Sequence, residues 1–533
     1  MKENTNRGFR MTKESIIPTR IIDCFQTENA EELLVSKEPC VSFGNEPCAC
    51  FTEKNSWALL DFGKELCGGL RLITRSAPVG TEIRITFGES VSEACSVIGE
   101  KNATNDHSPR DITALLSTWS DLTFGQTGFR FARVQLLSDS PISVQSILAV
   151  SQLPEIPREA VIKTSDRKLN KILDTAAYTL KLNFQNGYIW DGIKRDRLVW
   201  CGDLHQEIIT SLYLFGDNAN ITNSLSFLRH CTPDVSWINN IPTYSAWWVI
   251  IFCDYCAYTD NQEYFRQNKD FAESILNKIS SHITAEEEMN FGNDQLSYFL
   301  DWPTCDTPDA KIGAAMLMLL AAKKYLAFGD CAVCSDIIKK LNRYLTIPCK
   351  SKQVYAFQTL AGGGANSCEF LENGGAVGLS TFMAYYILKA DALTGGNNML
   401  SIIREYFGAM LSRGATTFWE DFDISWLENS GRIDALPKHG QKDLHGDHGA
   451  FCYQGFRHSL CHGWSCGVVS FVIEHLFGIQ IQNGGKRITV HPHTSCPDFK
   501  LKMPLAKGWL RINYKKGIVE VKAPPDVEIF SDL

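Results

Sequence analysis

The sequence predicts a multi-domain chain in which a helical toroid or solenoid is flanked by antiparallel β-sandwich units. Three observations carry that expectation. The length, 533 residues, is too great for one ordinary core. The hydrophobic period is that of strands up to about residue 155, becomes helical from Ser165, and returns to that of strands after Gly484. The helical stretch holds ten or more amphipathic segments with no short repeat, which suits stacked helix pairs better than a small bundle. The expected division is 1–158, 159–482 and 483–533.

In chain order, WALLDFG, GGLRLIT, TEIRITFGES, GFRFARVQLLS and ISVQSILAVSQL are short apolar or alternating runs broken by Gly, Pro and Ser, and read as a front β-sandwich. DRKLNKILDTAAYTLKLNF opens the helical region, followed among others by LHQEIITSLYLFGD, EYFRQNKDFAESILNKISSHI, KIGAAMLMLLAAKKYLAF, STFMAYYILKADALTG and WSCGVVSFVIEHLFG. In the tail, KRITVHPH and WLRINYKKGIVEV read as strands, with a hairpin turn at Lys515-Lys516-Gly517. The tail is too short to stand alone and is expected to pack back on the helical region as part of a second sandwich.

Composition narrows the partners. Hydrophobic content of 44% and charged content of 21% are those of a globular protein. A net charge of -8 without a basic block excludes nucleic acid as the expected partner, because phosphate binding needs clustered Lys and Arg. Met1 to Arg20 lacks the apolar core of a secretory signal, and the longest strongly apolar stretch, Ala314 to Ala322, is far short of the roughly 20 residues of a membrane helix, so a cytoplasmic protein without a membrane partner is expected. Nineteen scattered cysteines fit that compartment if reduced. The two C-x-x-C pairs, Cys253/Cys256 and Cys331/Cys334, lie in apolar helical patterns and read as small buried thiols rather than zinc ligands. A homodimer is a possible assembly, dimers being the commonest.

The densest chemistry lies in DGIKRDRLVWCGD, Asp191 to Asp203, which packs three carboxylates, three cations and a tryptophan into thirteen residues just after YIW. Asp203 alone reads as the cap of the helix LHQEIITSLYLF, with Gln206 reciprocating three places on. The other charges would stabilise a solvated loop by no more than about 1 kcal/mol as exposed pairs, and Trp190 and Trp200 favour a different use. A ring face for the C–H side of a sugar and carboxylates for its hydroxyls are what a carbohydrate site needs. Hydrolysing a glycosidic bond takes two carboxyl groups, one protonated and one ionised. Asp196 suits the first; Arg195 and Arg197 would lower its pKa if they paired with it, and Asp191 or burial against Trp200 would raise it. Acid and aromatic recur together in GATTFWEDFDISW, with Trp419 and Glu420, and in FLDWPT, with Asp301 and Trp302, and IPTYSAWW adds Tyr244, Trp247 and Trp248. Loops on one rim of a toroid could bring these together. KHGQKDLHGDHG matches no zinc spacing and reads as a Gly-rich surface loop, whereas His462 in SLCHGWSCG could bond a sugar hydroxyl or a water.

These segments resemble the α-L-rhamnosidases of glycoside hydrolase family 78. The resembling pattern is an Asp, an Arg-acid-Arg core, then W-x-G-D: here Asp191, Arg195, Asp196, Arg197, Trp200, Gly202 and Asp203. GATTFWE, FLDWPT, IPTYSAWW and SLCHGWS are similar to that family's segments and in its order, and LDFGKELCGG, ITFGES and NATNDHSPRD resemble its β-sandwich, so the likeness covers nearly the whole chain. The resemblance implies an (α/α)6 helical barrel catalytic domain flanked by β-domains, and hydrolysis with inversion of a terminal α-L-rhamnose from a rhamnose-containing glycoside. Asp196 falls at its general acid position and Glu420 at its general base position. Asp191, Arg195, Trp200, Asp203, Trp248, Asp301, Trp302, Trp419 and His462 are the expected substrate contacts. No metal and no cofactor is required. One departure stands out: Asp196 replaces the Glu that most members carry, so its loop must sit closer to the sugar or the acid step is weakened. A different sugar, glucuronyl or glucosyl, and a non-catalytic carbohydrate-binding protein remain as alternatives.

Overall fold

The computed structural model describes residues 8–37, 40–233, 236–363 and 367–531. The first seven residues of the segment read as lacking a signal's apolar core lie outside these. The front of the chain forms a nine-stranded antiparallel sheet, built around the long strands Trp57–Ser76, Asp121–Leu136 and Ile142–Pro154. Register shifts at Asp61/Leu66 and Gly68/Leu70 bend the first of these, so that the sheet wraps over one core containing Leu60, Phe62, Leu66, Phe87 and Phe129. The bend demands glycine. A Cβ on Gly68 would stand 1.9 Å from the Val150 carbonyl oxygen and one on Gly69 2.3 Å from that of Gly125.

The helical region is a closed ring within a ring. Cys201–Phe215, Pro242–Thr259, Ala310–Leu326, Lys352–Leu360, Ala384–Leu393 and Val468–Phe471 touch in that order, and the last returns to the first. These inner helices are apolar nearly all round, as in Pro242–Thr259, where Tyr244 to Cys253 are all buried. The outer helices carry one apolar stripe; Gln262–Ser281 buries Asn268, Ala272, Ile275, Leu276 and Ile279 and exposes its charged face. The expected helical barrel is therefore present, with sheets on both sides. No helix among the described residues is long and apolar enough to cross a membrane.

The tail packs back as expected, sharing the barrel's core: the Phe477 and Phe499 rings stack with centroids 3.9 Å apart. The strands Trp509–Lys515 and Ile518–Lys522 are joined at Lys516 and Gly517, both with positive φ, which is the geometry a two-residue hairpin needs. Two strands cross the expected boundaries. Val161–Thr164 pairs with Phe499–Pro504, and Ile479–Gln482 pairs with Arg487–Val490, so the tail sheets recruit residues from both ends of the helical stretch. Among the described residues every cysteine is a free thiol; Cys253, Cys256 and Cys334 are buried as expected, whereas Cys331, just before its helix, is half-buried.

One loop differs from its sequence reading. KHGQKDLHGDHG is not simply a surface loop, because His445 is wholly buried, with Nδ1 2.8 Å from Ser90 Oγ and Nε2 2.9 Å from the His458 carbonyl. It is the front sheet, packed over this loop, that buries it.

Candidate active site

Three chain segments meet at one end of the ring. Gly192 bridges to His462, the Gly463 N–H donates to Asp191 O (2.6 Å), that of His462 to Phe418 O (3.0 Å) and that of Glu420 to Ser459 O (2.9 Å). This pairing brings residues about 230 and 270 positions apart into a single cavity of about 290 Å³, at the small end of ligand pockets. Its lining includes Asp191, Arg195, Asp196, Trp200, Asp203, Trp302, Glu420 and His462.

Asp196 sits at the tip of the loop, in a tight turn closed by the Arg197 N–H to Arg195 O bond (2.7 Å). Both Asp196 and Arg197 have left-handed φ, 53° and 59°, a costly conformation for non-glycine residues that tends to mark functional loops. The Asp196 carboxylate accepts from Trp200 Nε1 (3.1 Å) and Arg195 Nη1 (3.3 Å). Arg197, the other expected partner, faces away: its guanidinium lies over the Trp190 ring and donates to Gln126 O of the front sheet.

Arg195 joins the two candidate catalytic acids, because its Nη2 donates to Glu420 Oε1 while its Nη1 reaches Asp196. Burial pushes Glu420 up, but Arg195, His462 and His458 beside it and the Ser459 N–H (3.0 Å) outweigh that and hold it at about 2. Glu420 is therefore ionised. His462 stands 3.7 Å from each of Asp191, Asp203 and Glu420. Burial disfavours its charge, but these carboxylates prevail and raise its pKa. Burial raises both Asp191 and Asp203, the latter strongly, while His462 beside them lowers each in turn.

Asp203 does not cap its helix. The helix begins at Cys201, with Trp200 as the extended residue before it, and the Cys201 N–H is met by Asn239 Oδ1 (3.0 Å). Asp203 thus lies inside the first turn and points into the cavity, and Gln206 donates instead to Phe382 O. Gly202 leaves room for Tyr244, whose ring a Cβ would approach to 2.7 Å.

The remaining predicted contacts divide. Trp302 lines the cavity, stacked on Phe451 with centroids 5.5 Å apart. Asp301 lies behind it, accepting from the Trp302 N–H (2.9 Å) and Ser380 Oγ (2.6 Å), and fixes its entrance into the turn. Trp419 is buried against Phe422 and does not reach the lining. Trp248 is a core residue. It points outward from the inner ring, stacks on Phe252, meets Phe271 of the outer helix edge-on and donates its N–H to Leu225 O (3.2 Å), and so lies away from the cavity lining.

Sequence reasoning did not single out Ile241, Leu296, Phe299, Cys452, Arg457 and Trp464, which also line the cavity. It also passed over Glu207, one helical turn beyond Asp203, although the i, i+4 spacing of two acids was a legible signal. Glu207 is buried with no hydrogen-bond partner on either oxygen, and burial, then Asp203 and Asp191, raise it well above the carboxylate range.

Among the described residues, two clusters outside the cavity have metal-ligand composition. In Glu89, Glu93 and His445 the cation's place is taken by Lys194, whose Nζ is 3.0 Å from Glu89 and 3.1 Å from Glu93. In Cys368, Glu372 and Asp391, Glu372 is already engaged by the backbone N–H groups of Asn397 and Asn398. Neither cluster contributes to the cavity lining, although Glu89 shares Ser459 with Glu420, accepting from its Oγ (3.1 Å) while Glu420 accepts from its N–H (3.0 Å).

The family profile described as the bacterial alpha-L-rhamnosidase 6 hairpin glycosidase domain matches residues 157–327. The chain is similar in structure to a family GH78 rhamnosidase of Bacillus sp. GL1, with a TM-score of 0.72 at 17% identity over 94% of this chain and 55% of that one. It is also similar to a rhamnosidase from Klebsiella oxytoca with rhamnose bound, at TM-score 0.68 and 18% identity over 88% and 96% of the two chains. The Streptomyces avermitilis alpha-L-rhamnosidase complexed with L-rhamnose gives 0.69 and 14% over 98% and 50%. This is a six-hairpin glycosidase fold. The chain spans about half the length of the Bacillus and Streptomyces proteins. A search of curated proteins returns no match.

Proposed function

We propose that the protein is an exo-acting glycoside hydrolase that removes terminal, non-reducing α-L-rhamnose from small rhamnosides or oligosaccharides with inversion, its chemistry residing in residues 159–482. The observation that carries this reading is the meeting of Asp196 and Glu420, 224 positions apart in sequence, in one small cavity with a single guanidinium between them. Asp196 acts as the general acid, passing its proton to the glycosidic oxygen as the bond to the anomeric carbon breaks. Glu420, ionised and oriented by Arg195 and the Ser459 N–H, takes the proton of a water attacking the opposite face. Inversion asks that the two carboxyls stand roughly 6.5 to 9.5 Å apart so that this water fits. Trp200 and Trp302 offer ring faces to the sugar, while Asp191, Asp203 and His462 meet its hydroxyls. Rhamnose as the sugar is supported by the Klebsiella and Streptomyces rhamnosidases of like fold, each of which holds rhamnose.

The test is a panel of nitrophenyl glycosides followed by proton NMR of the first product. Release from the α-L-rhamnoside with β-rhamnose appearing before mutarotation is the expected result. Cleavage of a glucoside or glucuronide alone would overturn the specificity, and α-rhamnose as first product would overturn inversion.

A further inference from the structure

Asp196 has a third neighbour that comes from outside the helical ring. His107 Nε2 lies 3.5 Å from Asp196 Oδ1. An indole N–H and a guanidinium can only donate, so neither Trp200 nor Arg195 can accept a hydrogen bond from a protonated Asp196; an imidazole nitrogen can either accept or donate. Of the three, only His107 suits the acid when it carries its proton.

The contact is built rather than incidental. His107 lies in the segment 103–110 of the front sheet unit, which is pinned by Asn105: its Oδ1 accepts from the backbone N–H groups of Arg110 (2.9 Å) and Asp111 (3.1 Å), and its Nδ2 donates to Asp111 O (3.0 Å). Ser108 Oγ donates to Lys194 O (2.7 Å), two residues before Asp196, and so ties this segment directly to the acid's loop. Arg457, which lines the cavity, donates from Nη2 to His107 Nε2 (3.2 Å) and pairs through Nη1 with Asp106. Nε2 thus sits among one donor, Arg457, and two carboxylates, Asp106 at 3.3 Å and Asp196. The direction of each bond follows the proton: a bare Nε2 has one lone pair, which takes either the Arg457 N–H or the proton of Asp196, and a protonated Nε2 donates to either carboxylate.

We propose that His107 is a positioning residue for the acid step, holding the Asp196 carboxyl in one orientation both before and after it gives up its proton. This rests on the glycosidase reading with Asp196 as the acid. In the step itself the Asp196 proton passes to the glycosidic oxygen, the electron pair of the broken bond to the anomeric carbon stays on that oxygen, and the Asp196 carboxylate regains a proton from solvent, which the partly exposed His107 adjoins. The front sheet is then part of the catalytic arrangement and not merely a neighbour of it.

Acid assistance matters most when the leaving group is poor, and that separates positioning of the acid from general loosening of the fold. The experiment compares wild type, His107→Ala and His107→Gln on a matched pair, the 4-nitrophenyl and the methyl glycoside of whichever sugar the wild type cleaves, with thermal melts to establish folding. His107→Ala is expected to lose about tenfold to a hundredfold in kcat on the methyl glycoside, with KM little changed, and less than about threefold on the nitrophenyl glycoside, general acid catalysis being worth about 10² to 10⁴ in all. His107→Gln, whose amide can still accept and donate, should recover most of the loss. Equal losses on both glycosides, no loss on either, or glutamine no better than alanine would overturn the role of His107 while leaving the glycosidase reading intact. A wild type that cleaves neither glycoside of any sugar would overturn both.

Discussion

Burial alone would push the Glu420 carboxyl above its ordinary 4.5; Arg195 and the neighbouring histidines bring it to about 2, and this difference has consequences for both activity and stability. For activity, Glu420→Gln and Asp196→Asn should each lower kcat by about 10² to 10⁴ while the sugar still binds, which titration calorimetry with free rhamnose would measure alongside turnover. A protein that only binds sugar would show no turnover in the wild type to lose. For stability, a carboxyl depressed on folding contributes above its unfolded pKa, near 4.5, and that contribution disappears as pH falls toward 2. Asp301 has the opposite sign. Its burial lifts it from 3.8 to about 6, so between about pH 4 and 6 the native state binds more protons than the unfolded chain, and stability falls as pH rises through that window. That loss amounts to about 3 kcal/mol, from about 1.4 kcal/mol per unit. Asp301→Asn should therefore flatten the dependence of the melting temperature on pH between about 4 and 6; an unchanged slope would refute the assignment to Asp301.

At the scale of elements, the loop 191–200 and the helix after it depend on contacts with segments far away in the chain. The W-x-G-D pattern marked the right stretch, but Asp203 read as a cap because nothing local announces that Asn239 meets the Cys201 N–H and lets the helix start one turn earlier. Gly202 is legible only once Tyr244 is seen against it. Gly202→Ala is expected to displace the Tyr244 ring and cost about 1 to 3 kcal/mol in denaturant unfolding, the usual range for overpacking, and to weaken sugar binding because Tyr244 lines the cavity. Unaltered stability would mean that the ring yields freely. Trp248 fails for a related reason. Clustered aromatics in IPTYSAWW suggest a sugar platform, but on a helix buried all round depth along the axis decides the role: Tyr244, in the first turn, reaches the cavity, whereas Trp248, one turn further along, packs against Phe252 and Phe271. Periodicity separates strand from helix and stripe from all-round burial; it does not tell which end of a buried helix faces a ligand.

For the whole molecule, the change of period from strand to helix and back was enough to expect sheets flanking a helical ring, since each period sums over many residues. Closure of the ring was not legible from period, because the contact between Val468–Phe471 and Cys201–Phe215 joins segments more than 250 residues apart. The same holds for the seam between front sheet and ring, where the charge that matters is Lys194. It lies on the acid's loop, yet its Nζ is held by Glu89 and Glu93 of the front sheet unit and donates to the carbonyls of Phe456 (2.9 Å) and His458 (2.6 Å). Glu89 in turn accepts from Ser459 Oγ (3.1 Å), next to the residues that align Glu420. All three charges are buried, and burial pushes Glu89 up to about 7 even with Lys194 beside it. Removing one partner from such a cluster leaves the others uncompensated, which costs about 3 to 5 kcal/mol, whereas an exposed pair would cost little. Lys194→Met should therefore destabilise the seam specifically. Calorimetry is expected to show one cooperative transition in the wild type and two in the variant, the sheet and the ring melting separately, with turnover lost at the lower of the two. A single transition merely shifted downward would mean that other contacts along the seam couple the two units, and that Lys194 serves the acid's loop alone.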